Sequence, residues 1–256
     1  MKIMKVSLIA AAVLALGFAL CPAPPGARRV DPKELLRKAL NTDRSDQSPT
    51  SNPQISLIEK NYTPLVEGED TVAGMPVWTL RLKPSRKHFP WKQLWIDKQT
   101  GAVLASRDWT GRNKIRSSVE TTADSHNSAQ LSGEKLDVVG PSCRRTEDPH
   151  VALRTARRLL GRTVLLPGYV PECFELASVE VDNTGGDVHL VYSDGLYALS
   201  VFVGPMADRA ARSIRVNRAY DWGQGLAFLT HAQGRSALIV ADLPVEEIEK
   251  IAGSVQ

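Results

Sequence analysis

The sequence lacks the short motifs that mark most enzymes and metal proteins. Its five histidines lie far apart, and none forms the His-x-x-x-His spacing that holds a metal ion. It has no Gly-x-Ser-x-Gly nucleophile turn, no phosphate-binding glycine loop and no Gly-x-Gly-x-x-Gly motif. We therefore expect a non-enzymatic binding protein with no catalytic residue, no metal ion and no cofactor. A hydrolase assembled from Ser, Asp and His residues far apart in the chain is the residual alternative.

The chain also lacks a strong excess of charge of either sign. Its formal net charge is +4 at pH 7, and loss of the N-terminal Lys2 and Lys5 would bring it closer to zero. Arginines are scattered apart from a group at Arg154, Arg157 and Arg158, which has no interleaved aromatic residues for stacking on bases. We therefore expect no nucleic-acid partner. These three arginines are expected to form a solvated helix face, with docking of an acidic partner as the alternative.

Cysteine is scarce, with three residues in the whole chain. Cys21 directly follows an apolar N-terminal run, which leaves Cys143 and Cys173 for the rest of the protein. An even number of cysteines in an exported protein favours a disulfide, which we predict between Cys143 and Cys173. Closing the loop between them would stabilise the fold by about 3 to 4 kcal/mol in the chain-entropy model. Two unpaired thiols, one of them buried, are the alternative.

The N-terminus has the layout of a secretory signal. Lysines within the first five residues precede an apolar run over 6–20 that only Ser7 interrupts. As a helix this run rises about 22 Å, short of the roughly 30 Å hydrocarbon core, so a membrane span is the weaker alternative. We predict a signal peptide with a proline-rich exit over 1–27, and a periplasmic or otherwise extracytoplasmic location. Membrane attachment through a lipid on Cys21 stays open, although Phe18-Ala19-Leu20 places a large residue where a lipoprotein signal needs a small one.

Changes of composition along the rest of the chain predict two domains joined by a linker. A capped helix at Asp31 and Pro32 and a polar segment precede a series of short β-type runs separated by turn signals. We predict a β domain over 28–123, a polar linker over 124–149 and a second domain over 150–256, which opens with a helix. The predicted strands are 55–62, 70–73, 76–82, 91–97, 102–109, 113–121, 174–182, 187–193, 196–203, 212–217, 226–231 and 235–241, and a helix closes the chain after Pro244.

The tryptophans of the first domain suggest a surface for an apolar ligand. Alternation places Trp78 beside leucines on one face of its strand, while Trp91 and Trp95 lie opposite Leu94 in the next strand. A sheet that is apolar on both faces must be covered on one side and curled around something on the other. Candidate contacts for an acyl chain are Trp78, Trp91, Trp95 and Trp109. Packing under a helix or under the second domain is the alternative.

Two turns punctuate the second domain. The segment Ser193-Asp194-Gly195-Leu196 predicts a hairpin, because Asp-Gly supplies the positive φ angles of a tight two-residue turn. The segment from Asp182 to Asp187 superficially resembles a calcium loop, but its Gly-Gly pair and short length favour another hairpin turn.

Several runs of residues resemble the MucB/RseB family. In the second domain these are Leu166-Pro167-Gly168-Tyr169, the run over 191–203 that contains the Tyr-Ser-Asp-Gly hairpin, and the closing segment over 237–244. The first domain, through 73–80 and 94–101, is similar to the later strands of that family's lipoprotein-carrier-like (LolA-like) domain. Before residue 55 the chain departs from the family pattern, with a short helix and a polar linker in place of a long helix and several strands.

This resemblance implies an α+β, mostly antiparallel fold, in which a partial lipoprotein-carrier-like half-barrel is followed by a smaller α+β domain. It implies a periplasmic regulator that binds the exported part of a membrane anti-sigma factor, or a similar envelope protein, and releases it on sensing mislocalised lipid. Candidate partner contacts are Tyr192, Ser193, Asp194, Gly195 and Leu196, together with Arg154, Arg157 and Arg158. A carrier of lipid or lipoprotein that uses the tryptophans is the alternative function.

Overall fold

Two antiparallel sheets, each packed against helices, organise the chain. A computed structural model describes residues 30–42, 53–111, 115–120, 148–182, 186–221 and 225–256. The predicted signal over 1–27 and almost all of the predicted linker lie outside these residues, as do Cys21 and Cys143. Within the described part, no helix combines the length and the apolar character that crossing a membrane requires.

The N-terminal sheet has five strands in the order β1-β2-β3-β4-β5, each antiparallel to its neighbour. Its elements are α1 (Pro32–Thr42), α2 (Pro53–Asn61), β1 (Tyr62–Val72), β2 (Met75–Pro84), β3 (Trp91–Asp97), β4 (Val103–Trp109) and β5 (Ile115–Glu120). The predicted cap of α1 is confirmed, since Asp31 Oδ1 accepts the N–H of Lys33 at 2.9 Å. The helices cover one face of the sheet, and the core between them contains Leu35, Leu36, Ala39, Leu40, Ile58, Leu80, Leu82, Leu94 and Ile96.

The structure differs from the sequence-based prediction at the start of this sheet. The strand predicted over 55–62 is wrong, because residues 53–61 form α2. A short apolar run does not distinguish a helix from a strand, and Pro53 at the first helical position favours the helix. β1 is also much longer than the predicted 70–73. Pro64 and Gly68 argue against a strand by sequence, but both are tolerated at a sheet edge with a bulge between Val66 and Gly68.

The C-terminal sheet has six strands in the order β6-β7-β8-β11-β10-β9. Its elements are α3 (Pro149–Leu160), β6 (Glu175–Val181), β7 (Val188–Ser193), β8 (Ala198–Val203), α4 (Pro205–Ala210), β9 (Ala219–Asp221), β10 (Leu226–Ala232), β11 (Arg235–Ala241) and α5 (Val245–Gly253). Leu153 and Ala156 of α3 and Ile248 and Ile251 of α5 share one core with the sheet. α4 covers the other face through Ala207.

The strand predicted over 212–217 is wrong. Gly204, with φ of 128°, and Pro205 at the first helical position begin α4, and the chain then passes through turns to the three-residue β9. The alternation of Ile214 and Val216 with polar residues imitates a strand by sequence. In the structure both side chains instead pack against the core under α4.

Both sheets are antiparallel throughout their described strands, and neither is closed. Strands β1 and β5 are the edges of the N-terminal sheet, and β6 and β9 are the edges of the C-terminal sheet. The predicted α+β, mostly antiparallel fold with an open first sheet is therefore confirmed. The positions of these edges decide which strands have backbone groups available to another chain.

Candidate functional site

The turn between β7 and β8, predicted to contact a partner, lies buried between the two sheets. Asp194 is 1% exposed and Leu196 is 2% exposed, while Gly195 is buried and Ser193 half-buried. The turn is not the predicted two-residue type, because four residues separate the strands and only Gly195 has a positive φ, of 103°. Residues 194–197 are called the hairpin tip below.

The side chain of Asp194 shapes the hairpin tip from within. Its Oδ1 accepts the backbone N–H groups of Leu196 at 2.9 Å and Tyr197 at 2.8 Å. A short carboxylate that binds backbone donors two and three residues ahead is a common way to close a turn. The Asp-Gly pair therefore does mark a turn, but by side-chain capping rather than by two left-handed residues.

The same carboxylate ties the tip to the other sheet. Asp194 Oδ2 accepts the hydroxyl of Tyr62 at 2.6 Å. Asn61 Nδ2 donates to the carbonyl oxygens of Asp194 at 2.9 Å and Cys173 at 2.8 Å. The side chains of Leu196 and Tyr197 enter the core of the N-terminal sheet, beside Leu80 and Leu94 among others.

The contact is reciprocal, because the loop between β2 and β3 inserts into the C-terminal core. Phe89 in that loop is 4% exposed and packs with residues of α3 and α5. The guanidinium of Arg86 lies 5.4 Å from its ring centroid. A Cβ at Gly111 would collide with the backbone of His88, so the turn after β4 can lie against this loop only with glycine. Each sheet thus contributes an apolar side chain to the core of the other.

Burial governs the protonation of this junction. It raises the pKa of Asp194 above its ordinary value, although hydrogen bonds from Tyr62 and from backbone N–H groups favour the charged form. Burial, together with the Asp194 carboxylate, raises the pKa of Tyr62 well above its usual range. The pKa of Tyr197 is raised well above its usual range by burial and by Asp108, to which its hydroxyl donates at 3.1 Å. Both phenols therefore stay protonated donors at neutral pH.

These contacts change the interpretation of the predicted partner residues. Asp194, Gly195 and Leu196 are already covered by the N-terminal sheet, and Tyr192 and Ser193 are only partly exposed beside them. β7 and β8 are inner strands of their sheet, so neither has an edge that could accept another strand. The expectation of an open hairpin edge for a partner is therefore corrected: the hairpin tip is an internal contact between the sheets.

The predicted arginine group lies on the surface of the protein. Arg154, Arg157 and Arg158 are all exposed on α3, whose inner side buries Leu153 and Ala156. Asp148 caps the start of the helix by accepting the N–H of His150 at 2.8 Å, and the left-handed Gly161 caps its end. The three guanidinium groups are thus presented by a rigid, well-capped helix.

The four tryptophans do not converge on one cavity. Trp78 packs on the helix-covered face of the N-terminal sheet, whereas the strand register places Trp91, Trp95 and Trp109 on the opposite face. Trp91 and Trp109 stack in parallel with centroids 4.8 Å apart, and Arg81 lies 4.5 Å over the ring of Trp91. An acyl chain would not contact all four at once.

Trp95 is held by contacts within its own sheet. It is 9% exposed, and its indole N–H donates to Asp70 Oδ2 at 3.1 Å. Hydrogen bonds from the backbone N–H of Thr71 and from this indole lower the pKa of Asp70. The sequence-based alternative of structural packing therefore describes Trp95 better than a ligand contact does.

Cys173 lies at the junction as a half-buried thiol. Burial, with a further contribution from Asp194, raises its pKa to about 11. Its predicted disulfide partner Cys143 lies outside the described residues, so that pairing stays a prediction. Among the described residues, no group of three His, Cys, Asp or Glu side chains is placed to hold a metal ion.

Sequence reasoning missed the residues that receive the hairpin tip. Asn61, Tyr62 and Asp108 carry no local motif, and their contacts join positions that are 89 to 133 residues apart in the chain. Tyr197 could have been found from the sequence, since it directly follows a recognised turn and continues the every-second-residue pattern of buried Leu199 and Val201 in β8.

Comparisons with known proteins find similarity at the level of structure. No family model and no curated protein sequence matches the chain. A solved complex of MucA and MucB from Pseudomonas aeruginosa aligns with a TM-score of 0.50 and 16% identity, over 83% of this chain and 72% of that one. The fold is MucB-like.

Two further solved structures align with lower TM-scores. MucB in complex with MucA(peri) aligns with a TM-score of 0.49 and 18% identity, over 81% of this chain and 71% of that chain. MucB alone aligns with a TM-score of 0.46 and 18% identity, over 78% and 64% of the two chains.

Proposed function

We propose that this protein is a non-enzymatic, extracytoplasmic regulator that binds the exported segment of a membrane anti-sigma factor or a similar envelope membrane protein. The observation that carries the proposal is the MucB-like fold, because a structure with that fold was solved as a complex of MucB with MucA. The residue runs over 166–169 and 191–203 resemble the same family and add support from the sequence. By that resemblance, the bound partner would be shielded from proteolysis.

The junction supports a binding role that uses both sheets as one body. Each sheet buries an apolar side chain of the other, Leu196 in one direction and Phe89 in the other. Hydrogen bonds from Asn61 and Tyr62 add directional contacts in a buried environment. A partner would therefore meet a surface whose two halves hold a fixed orientation, which lowers the entropy lost on binding.

Lipid or lipoprotein carriage is not part of this proposal. Such a carrier needs a continuous apolar enclosure, because each CH₂ left in water costs about 0.8 kcal/mol. Trp78 is separated by the sheet from the other three tryptophans, and the ring of Trp91 is already in contact with Arg81 and Trp109.

A direct binding measurement tests the proposal. The mature full chain, starting at residue 28, is titrated calorimetrically with the purified ectodomain of a single-span anti-sigma factor from the same organism. We expect a stoichiometric complex with a dissociation constant of about 1 μM or tighter. The ectodomain of an unrelated single-span envelope protein is the control. Equal affinity for the two ectodomains, or no detectable complex with about 100 μM anti-sigma ectodomain, would contradict the proposal.

A further inference from the structure

Helix α3 carries two parallel rows of side chains away from its buried side, in which Val151 and Thr155 are half-buried and the other residues are exposed. One row contains Arg154 and Arg158, which are four residues apart. Arg157 lies three residues after Arg154, so it is a neighbour of Arg154 on the helix surface. The other row follows Val151, Thr155 and Leu159, also at four-residue spacing. At 58%, Leu159 is the most exposed of the large apolar side chains in the described part of the chain. We call these six residues the α3 surface.

Packing within the described part of the protein does not account for the α3 surface. The inner side of α3 is supplied by Pro149, Leu153 and Ala156, all buried. The helix has no acidic residue, and no hydrogen bond or ion pair joins the three arginines to another side chain in the part of the chain that the structure describes. Within the described residues no acidic side chain pairs with these three guanidinium groups, and like charges within two turns repel one another, which costs free energy unless negative charge is supplied to them.

A purely structural explanation covers only part of these observations. Cations in the last turn of a helix interact favourably with its dipole, by about 0.3 to 1 kcal/mol each. This applies to Arg157 and Arg158, which lie in the last turn, but not to Arg154. It also does not explain an exposed leucine beside the arginines.

The chemistry of the two rows selects the kind of partner. Guanidinium groups bind carboxylates in a bidentate geometry and are enriched at binding interfaces. An exposed leucine next to them suits one apolar side chain. A membrane surface fits less well, because interfacial helices bury a broad apolar face, and Leu159 is the only large apolar side chain that α3 exposes.

We infer that the α3 surface docks an acidic, amphipathic segment of the protein partner, whose carboxylates pair with Arg154, Arg157 and Arg158 while an apolar side chain covers Leu159. The inference deepens the proposed function and rests on it for the identity of the partner. It adds the surface used, the chemistry of the segment recognised and a salt dependence of binding.

The test uses the mature full chain and two probes. The first is the anti-sigma ectodomain, and the second is a synthetic peptide with three glutamates and one leucine at helical spacing, measured by fluorescence anisotropy. The triple variant Arg154→Glu, Arg157→Glu, Arg158→Glu is expected to weaken binding of both probes about tenfold or more. Raising the salt concentration to about 0.5 M should weaken binding by the wild type and reduce the difference in affinity between wild type and the triple variant.

Matched variants separate docking from changes in charge or folding. The triple variant Lys33→Glu, Lys87→Glu, Arg212→Glu makes the same charge change at exposed positions outside α3, and its affinity should stay within about twofold of wild type. Leu159→Ser should weaken binding by an amount that does not depend on salt. Thermal melts establish that each variant is folded before its affinity is compared.

The outcomes distinguish this inference from the proposed function. If the ectodomain binds wild type and the α3 charge-reversal variant equally, the α3 inference is overturned and the proposed function stands. If wild type binds the acidic peptide through α3 but not the ectodomain, the inference holds and the anti-sigma partner is excluded. Binding of neither probe overturns both. Preference for phosphatidylglycerol vesicles over the acidic peptide overturns the inference in favour of a membrane surface.

Discussion

Shortening Leu196 to alanine is a direct test of the junction between the sheets. The side chain is 2% exposed and belongs to the core of a sheet other than its own. Leucine-to-alanine substitutions at such buried sites cost about 2 to 5 kcal/mol, from lost burial and from the cavity left behind. For a chain of this size, a loss of about 3 kcal/mol corresponds to a drop of about 6 to 12 °C in Tm.

Urea denaturation of the mature full chain measures this effect with two probes. Four of the five tryptophans lie in the N-terminal sheet, so their fluorescence reports mainly that sheet, whereas far-UV circular dichroism reports both. If the junction couples the sheets, the two probes should give coincident transitions for wild type. The control is Leu65→Ala, at a leucine that is 41% exposed in β1, which should cost less than about 1 kcal/mol.

Two results would contradict a packed junction between the sheets. If Leu196→Ala costs no more than Leu65→Ala, the hairpin tip is not packed into the N-terminal core in solution. Separate fluorescence and dichroism transitions in wild type would likewise show that the two sheets unfold independently. Either outcome would mean that Asp194 and Leu196 are accessible to a partner, as the sequence predicts.

Three further predictions concern polar groups that are buried or half-buried. Tyr62→Phe should cost about 1 to 3 kcal/mol of unfolding free energy, because it leaves the buried Asp194 carboxylate without its 2.6 Å donor. Burial lowers the pKa of His189 below its ordinary value, so this residue gains its proton at a higher pH in the unfolded chain than in the folded protein. Stability should therefore fall as pH decreases below about 6.5, and less so in His189→Gln, as measured by urea denaturation across pH. Peptide mapping by mass spectrometry without reductant should find a disulfide-linked peptide that contains Cys143 and Cys173. In the reduced protein, the pKa of Cys173 is raised to about 11, so alkylation of this thiol at pH 8 should be slow until denaturant is added.

The sequence predicts best those elements whose signals are local. β3 and β4 are rich in aromatic and β-branched residues around a turn that contains Gly101, and they form where they are predicted. α3 has both a capping aspartate and a glycine stop, and it begins one residue before the helix over 150–160 that the sequence predicts. In these segments local propensity and tertiary packing favour the same structure.

Prediction fails where tertiary context decides. Pro64 and Gly68 weaken the sequence signal of β1, which forms because β2 pairs with it along its whole length. The Asp194-Gly195 turn is recognised from its local role, but the acceptor that Asp194 offers to Tyr62 lies 132 residues from its donor. No local sequence pattern indicates such a contact. From the sequence alone, a residue that stabilises the junction therefore cannot be distinguished from a residue of an exposed turn.

The junction also determines which experiments can locate partner binding. Deleting the N-terminal sheet would remove the groups that cover Leu196 and Tyr197, now 2% and 7% exposed, and would leave Asp194 without the Tyr62 donor. Fresh apolar surface of this kind promotes aggregation and nonspecific capture. A loss of binding after the deletion could then be explained by aggregation, and a gain of binding by nonspecific capture. Substitutions at exposed Arg154, Arg157 and Arg158 in the full chain leave the junction intact, so a change in affinity that they cause can be assigned to the α3 surface.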